Sequence, residues 1–92
     1  MTPEDRAANL AALRLRILTL LRPYTEGMSQ STIHTLLRAI GFGRLTIEEL
    51  DQELSYMCDR GWIVRAPRPL MPQLTFYRLT ASGTDQLPDY AL

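Results

Sequence analysis

The chain has 92 residues, 46% of them apolar and 22% charged, with a formal net charge of zero at pH 7. That length buries one modest core and excludes two, and no apolar run approaches the ~20 residues that span a bilayer. A cationic start followed by an apolar stretch and a cleavage site is missing, which argues against secretion. The single Cys58 cannot form an internal disulfide and fits a reducing cytosol. The expectation is one domain over residues 1–92, cytoplasmic and without a membrane segment.

Zero net charge hides a sorted pattern. Residues 46–59 carry Glu48, Glu49, Asp51, Glu53 and Asp59 and no base, or −5. Residues 60–84 carry Arg60, Arg65, Arg68 and Arg78 and no acid, or +4. All ten basic residues are arginine, so every cation can make planar, forked contacts to phosphate or carboxylate.

Thr2-Pro3-Glu4-Asp5 predicts a helix start: a capping threonine, proline in the first turn, then carboxylates at the positive helix end. The helix should run to about Arg22, where Pro23 blocks it. Leu10, Leu13, Ile17, Leu20, Leu21 and Tyr24 form the expected core stripe. Residues 1–9 are a helical N-terminal extension. A second stripe of Ala7, Ala11, Leu15 and Leu18 has the small residues that let two helices approach, and is the expected homodimer seam. A frayed, unpaired helix start is the alternative.

Ser29 should cap the second helix, with Met28 and Ile33 spaced as a hydrophobic staple. Ile33, Leu36, Leu37 and Ile40 form its buried face, and Gly41-Phe42 its left-handed stop. The third helix repeats this grammar. Thr46 and Glu49 make a capping box, Leu45 and Leu50 a staple, and Gly61-Trp62 a stop. Ile47, Leu50, Leu54, Met57 and Cys58 should face the core; Glu48, Glu49, Gln52, Ser55, Tyr56 and Asp59 then face outward. Residues 62–66 and 74–79 are strand-like, joined by the proline-rich wing loop 67–73, which cannot pair into a sheet. Thr80 caps a short last helix through about Leu87, and residues 88–92 are a C-terminal tail.

The predicted fold is mainly α with a small β-hairpin, in the order α-α-α-β-β-α of a winged helix-turn-helix. Leu54-x-x-Met57-x-x-x-Gly61-Trp62-Ile63 and Tyr77-x-Leu79-Thr80-x-x-Gly83 resemble the recognition-helix and strand-to-helix endings of the MarR and PadR groups of bacterial regulators. The whole chain also resembles a group of short proteins encoded in Mu-like prophages. The resemblance implies a third helix that docks in the DNA major groove and a wing that touches backbone or minor groove.

The charges oppose half of that implication. Gln52 suits adenine and Glu48 suits cytosine N4, but carboxylates on the same face repel phosphate. Two readings therefore stay open. In one, the protein binds double-stranded DNA through Arg44, Gln52, Ser55, Arg65, Arg68 and Arg78, with Arg68 free at the wing tip. In the other, Glu48, Glu49, Asp51, Tyr56 and Asp59 face a protein partner and DNA is not bound. No phosphate-binding glycine loop, paired histidines or nucleophile elbow occurs, so neither an enzyme nor a cofactor or metal is expected. His34 reads as an exposed or helix-packed imidazole, and Cys58 as a small core residue.

Overall fold

The computed structural model describes residues 2–88; Met1 and residues 89–92, most of the expected tail, lie outside the described residues. Four helices and three short strands follow in the order α1 (Pro3–Leu21), β1 (Met28–Ser29), α2 (Gln30–Ala39), α3 (Ile47–Asp59), β2 (Ile63–Arg65), β3 (Phe76–Leu79) and α4 (Ala81–Asp85). The helix starts are built as their local chemistry dictates. Thr2 and Asp5 bond reciprocally at α1, and Thr46 and Glu49 do the same at α3. Ser29 and Thr80 accept from the amides of Thr32 and Gly83. Each satisfies donors that a helix leaves orphaned in its first turn. At the C-terminal ends, Phe42 N–H donates to Leu37 and Trp62 N–H to Met57, closing turns through Gly41 and Gly61 at positive φ.

The core is the surface where three helices meet one sheet. Leu13, Ile17, Leu18 and Leu21 of α1 pack with Ile33 and Leu37 of α2, Leu50, Leu54 and Met57 of α3, and Met28, Ile63, Tyr77 and Leu87. Burying each of these large side chains contributes about 1.5–3 kcal/mol. Several expectations shift. Tyr24 is 53% exposed and Leu10 and Leu20 are only half-buried, while Leu18 joins the core. The helix ends at Leu21, so Tyr24 leaves the spiral that would have carried it inward. Ile40 and Ile47 are also exposed rather than buried, because each sits at a helix end where the chain turns away from the core.

The sheet has three strands, not the two of a simple hairpin. β3 is central, in the order β1-β3-β2, and both pairings are antiparallel. Met28 pairs with Tyr77 and Ser29 with Phe76. Gly27 makes this approach feasible: its φ is +95°, and a Cβ there would lie 2.7 Å from the Tyr77 carbonyl oxygen. Ser29 thus ends a strand and caps a helix at once. The strands are shorter than expected, and α4 stops at Asp85 with Leu87 tucked into the core behind it.

Candidate nucleic-acid interface

Within α3 the core residues Leu50, Leu54 and Met57 leave the opposite side to Glu48, Gln52, Ser55 and Asp59, which recur at four-, three- and four-residue spacing along one stripe. Glu48, Gln52 and Asp59 are exposed and Ser55 is half-buried. The other acids of this helix are occupied. Glu53 turns toward α1, where Arg14 grips it with Nε 2.7 Å from Oε2. Glu49 belongs to the cap: its Oε1 accepts from the Thr46 amide at 3.1 Å and hydroxyl at 2.9 Å, which hold its carboxyl below the usual range. Asp51 accepts from Gln30 Nε2 at 3.4 Å. Only Glu53 therefore has its charge offset by a cation; Glu49 and Asp51 keep theirs while engaged locally, and Glu48 and Asp59 are the two acids without a side-chain partner among the described residues.

Tyr56 is not a free contact either. The Arg14 guanidinium lies 4.2 Å over its ring, and its ring meets that of Trp62 edge to face, with centroids 5.9 Å apart. Arg60 in turn stands over Trp62. These stacks lock the C-terminal half of α3 to α1 and to the wing root. His34 has a comparable duty. Its half-buried ring donates from Nε2 to the Leu45 carbonyl at 2.8 Å, fixing the turn between α2 and α3.

The wing departs most from expectation. Arg68 is not free at the tip. Its guanidinium stacks 4.7 Å from the Phe76 ring, donates to the Glu26 carbonyl and lies 4.0 Å from the Glu26 carboxylate. Its chain neighbours gave no hint of this, because Glu26 and Phe76 approach only through the tertiary fold. The tip belongs to Leu70, 94% exposed, with Met71 and Leu74 exposed beside it. Proline-bracketed Leu-Met was the available sequence signal, since prolines hold a loop in shape but give its apolar side chains nothing to bury against.

Of the other arginines proposed as contacts, Arg44 and Arg78 are exposed and carry no ion pair among the described residues. Arg78 pairs with Val64 across the outer sheet face. Arg65 is exposed and sits 5.8 Å from the Tyr77 ring. Burial raises the Tyr77 phenol and the Cys58 thiol above their ordinary ranges, and Arg65 opposes both shifts. A shallow groove lined by Gln30, Ser31, Ile47, Gln73 and Leu74 separates the wing from the starts of α2 and α3. Gln30 N–H crosses it to the Thr75 carbonyl at 2.9 Å, so wing and helix-turn-helix are tied together. No group of His, Cys, Asp or Glu among the described residues could hold a metal ion, and no described helix is long and apolar enough to cross a membrane.

This arrangement is a winged helix-turn-helix, and the comparison with solved structures agrees. A cysteine-to-serine mutant of MarR from E. coli superposes with a TM-score of 0.66 at 18% identity, covering 78% of this chain and 48% of that one. The reduced form of MarR gives 0.65 at 18% identity, with the same coverage. The same mutant complexed with operator DNA gives 0.65 at 18%, covering 78% of this chain and 46% of the other. The chain thus spans about half the length of the MarR chains it matches, and the likeness establishes the fold. No family model and no curated protein matches the sequence, so the resemblance to short Mu-like prophage proteins gains no support.

Proposed function

We propose that this chain is a winged-helix DNA-binding protein, a small transcriptional regulator of phage or bacterial origin that acts in the cytoplasm. The observation that carries this reading is the pairing of an uncovered α3 face, with Gln52 and Ser55 at its middle, with an adjoining hairpin whose Arg65 and Arg78 are exposed and carry no ion pair among the described residues. The operator complex of MarR, a protein of the same fold, supports it. Arg44, Arg65 and Arg78 supply backbone contacts, while Gln52 and Ser55 are the donors that α3 offers to bases. Glu48 and Asp59 each oppose phosphate by about 1 kcal/mol at close approach in water. The wing therefore carries the affinity and α3 sits shallow.

A homodimer through α1 belongs to the same proposal. Ala7 and Ala11 are exposed and Leu15 is half-buried, leaving a face for a second copy. Leu18 drops out of that seam, since the protomer's own core already buries it. A single sedimentation run at tens of micromolar, roughly where a −7 kcal/mol association shows, tests the dimer.

For DNA, fluorescence anisotropy with a duplex at low salt is the direct test. Wild type binds, and Arg78→Ala lowers the slope of log affinity against log salt by about one. Absence of binding at low salt refutes the reading. A protein-facing α3 is the second reading, favoured by exposed Ile47 beside Glu48 and Asp51. Under it, neutralising Glu48 and Asp59 breaks a complex; under the DNA reading, it strengthens binding.

A further inference from the structure

No other large apolar side chain among the described residues is as exposed as Leu70 at the wing tip. The loop around it is constrained rather than slack. Pro67, Pro69 and Pro72 fix three φ angles. Met71 N–H donates to the Arg68 carbonyl at 2.9 Å and Leu74 N–H to the Met71 carbonyl at 3.1 Å, giving two successive turns. At its root, Ala66 N–H bonds the Phe76 carbonyl and Arg68 clasps Phe76 and the Glu26 carbonyl. A well-braced loop thus holds a leucine out in water, where its exposure is unfavourable unless something covers it.

The charge around the tip says what covers it. Arg65 and Arg78 are exposed on the strands below the tip without an ion pair among the described residues, while Glu26, the acid beside the wing, is matched by Arg68. That balance repels a basic partner and suits a polyanion. An apolar point on a cationic stem is the combination by which minor-groove proteins part a base step while holding the flanking phosphates. We propose that Leu70, backed by Met71, is a wedge that enters the minor groove of duplex DNA, inserts between base pairs and bends the duplex. This rests on the DNA-binding reading above and deepens it. Bending wraps more phosphate onto Arg65 and Arg78, compensating the acids that keep α3 shallow. Pyrimidine–purine steps, which unstack most easily, are the preferred targets.

The test uses the full chain and an end-labelled duplex of about 30 base pairs with 2-aminopurine beside a central TA step. Anisotropy reports binding, energy transfer between the ends reports bending, and 2-aminopurine fluorescence reports unstacking. Wild type should shorten the end-to-end distance and brighten the 2-aminopurine. Leu70→Ala should lose both signals while binding within about tenfold of wild type, because the stem contacts to phosphate persist. Leu70→Phe, still a wedge, should keep them. Leu70 is solvent-exposed, so circular dichroism should be unchanged in both variants. Wild-type binding without either signal, or both signals surviving Leu70→Ala, overturns the wedge alone. Absence of binding to any duplex at low salt overturns the DNA reading and the wedge with it.

Discussion

Arg14 of α1 and Glu53 of α3 meet as a forked ion pair, with Nε 2.7 Å from Oε2 and Nη2 3.4 Å from Oε1. The Arg14 side chain retains 26% of its surface and that of Glu53 15%, so water screens the pair only in part. Glu53 also strengthens the hold of Arg14 on its proton, through the hydrogen bond first and charge second, against the opposing effect of burial. Either Arg14→Met or Glu53→Gln should lower unfolding free energy by about 1–2 kcal/mol in urea titrations. The double variant should lose less than the sum. Strict additivity would show that the pair contributes nothing.

Gly83 and Gly61 look alike in sequence, and alanine should be costlier at the first than at the second. A Cβ at Gly83 would lie 2.0 Å from the Trp62 carbonyl oxygen and 2.7 Å from Leu79 Cδ1, forcing α4 off the sheet. At Gly61 the space is open and only the φ of +77° resists. Gly61→Ala should cost about 1–2 kcal/mol, and Gly83→Ala more than about 3 kcal/mol. Thermal melts giving the two variants equal loss would contradict the packing described for α4.

Neutralising the two unpartnered acids of α3 should strengthen nonspecific DNA binding. Glu48→Gln with Asp59→Asn is the appropriate pair, because Glu49 serves the helix cap and its replacement would confound binding with folding. Each change removes about 1 kcal/mol of phosphate repulsion at close range. Anisotropy at low salt should show the gain and high salt should erase it. A loss of affinity would mean that these carboxylates read bases directly.

Stability should fall at both ends of the pH scale, for different reasons. Glu49 has its folded-state pKa depressed by the Thr46 amide and then its hydroxyl. Its contribution is present at neutral pH and is lost as pH falls through the folded value. Tyr77 and Cys58 are raised, chiefly by burial. Their contribution is full below the unfolded values, ordinarily 10.0 and 9.0, and is lost as pH rises through the higher folded ones. Tyr77→Phe should flatten the alkaline side of a melting-temperature profile, and Glu49→Gln, which removes the titrating group, the acid side. An unchanged alkaline side in Tyr77→Phe would remove Tyr77 from this account.

Arg68→Ala should behave as a loosened brace. Hydrogen exchange should accelerate at Ala66, Met71 and Leu74, whose amides bond within or beside the wing loop. Its effect on the DNA salt slope should be smaller than that of Arg78→Ala, since the Arg68 guanidinium is already engaged by Phe76 and Glu26. Equal slopes for the two variants would show that Arg68 leaves its clasp to hold phosphate.

What could be read in advance was local in origin. Thr46 and Glu49 stand three residues apart, so their cap is written in one stretch of chain, as are the endings at Gly41-Phe42 and Gly61-Trp62. Helical spacing likewise placed Leu50, Leu54 and Met57 inward. The misses depend on distant partners. Met28-Ser29 is too short to show a strand period and becomes one only through Tyr77 and Phe76. The occupation of Arg68, Glu53 and Tyr56 was invisible for the same reason, whereas the exposure of Leu70 had a local signal in its flanking prolines. Charge sorting pointed to the wing and α3 as the sites of interest; which of their charges remain available depends on the tertiary fold.

The central strand of the sheet is also the last one made. β1 and β2 both hydrogen-bond to β3 and not to each other, so neither has a partner until Phe76–Leu79 emerges during synthesis. A nascent chain ending at Thr75 would own three helices and two unpaired strand segments, with Gln30 N–H deprived of the residues that seat Thr75 beside it. The sheet therefore closes in one step: the four residues of β3 join the α1–α2 connection to the wing at once.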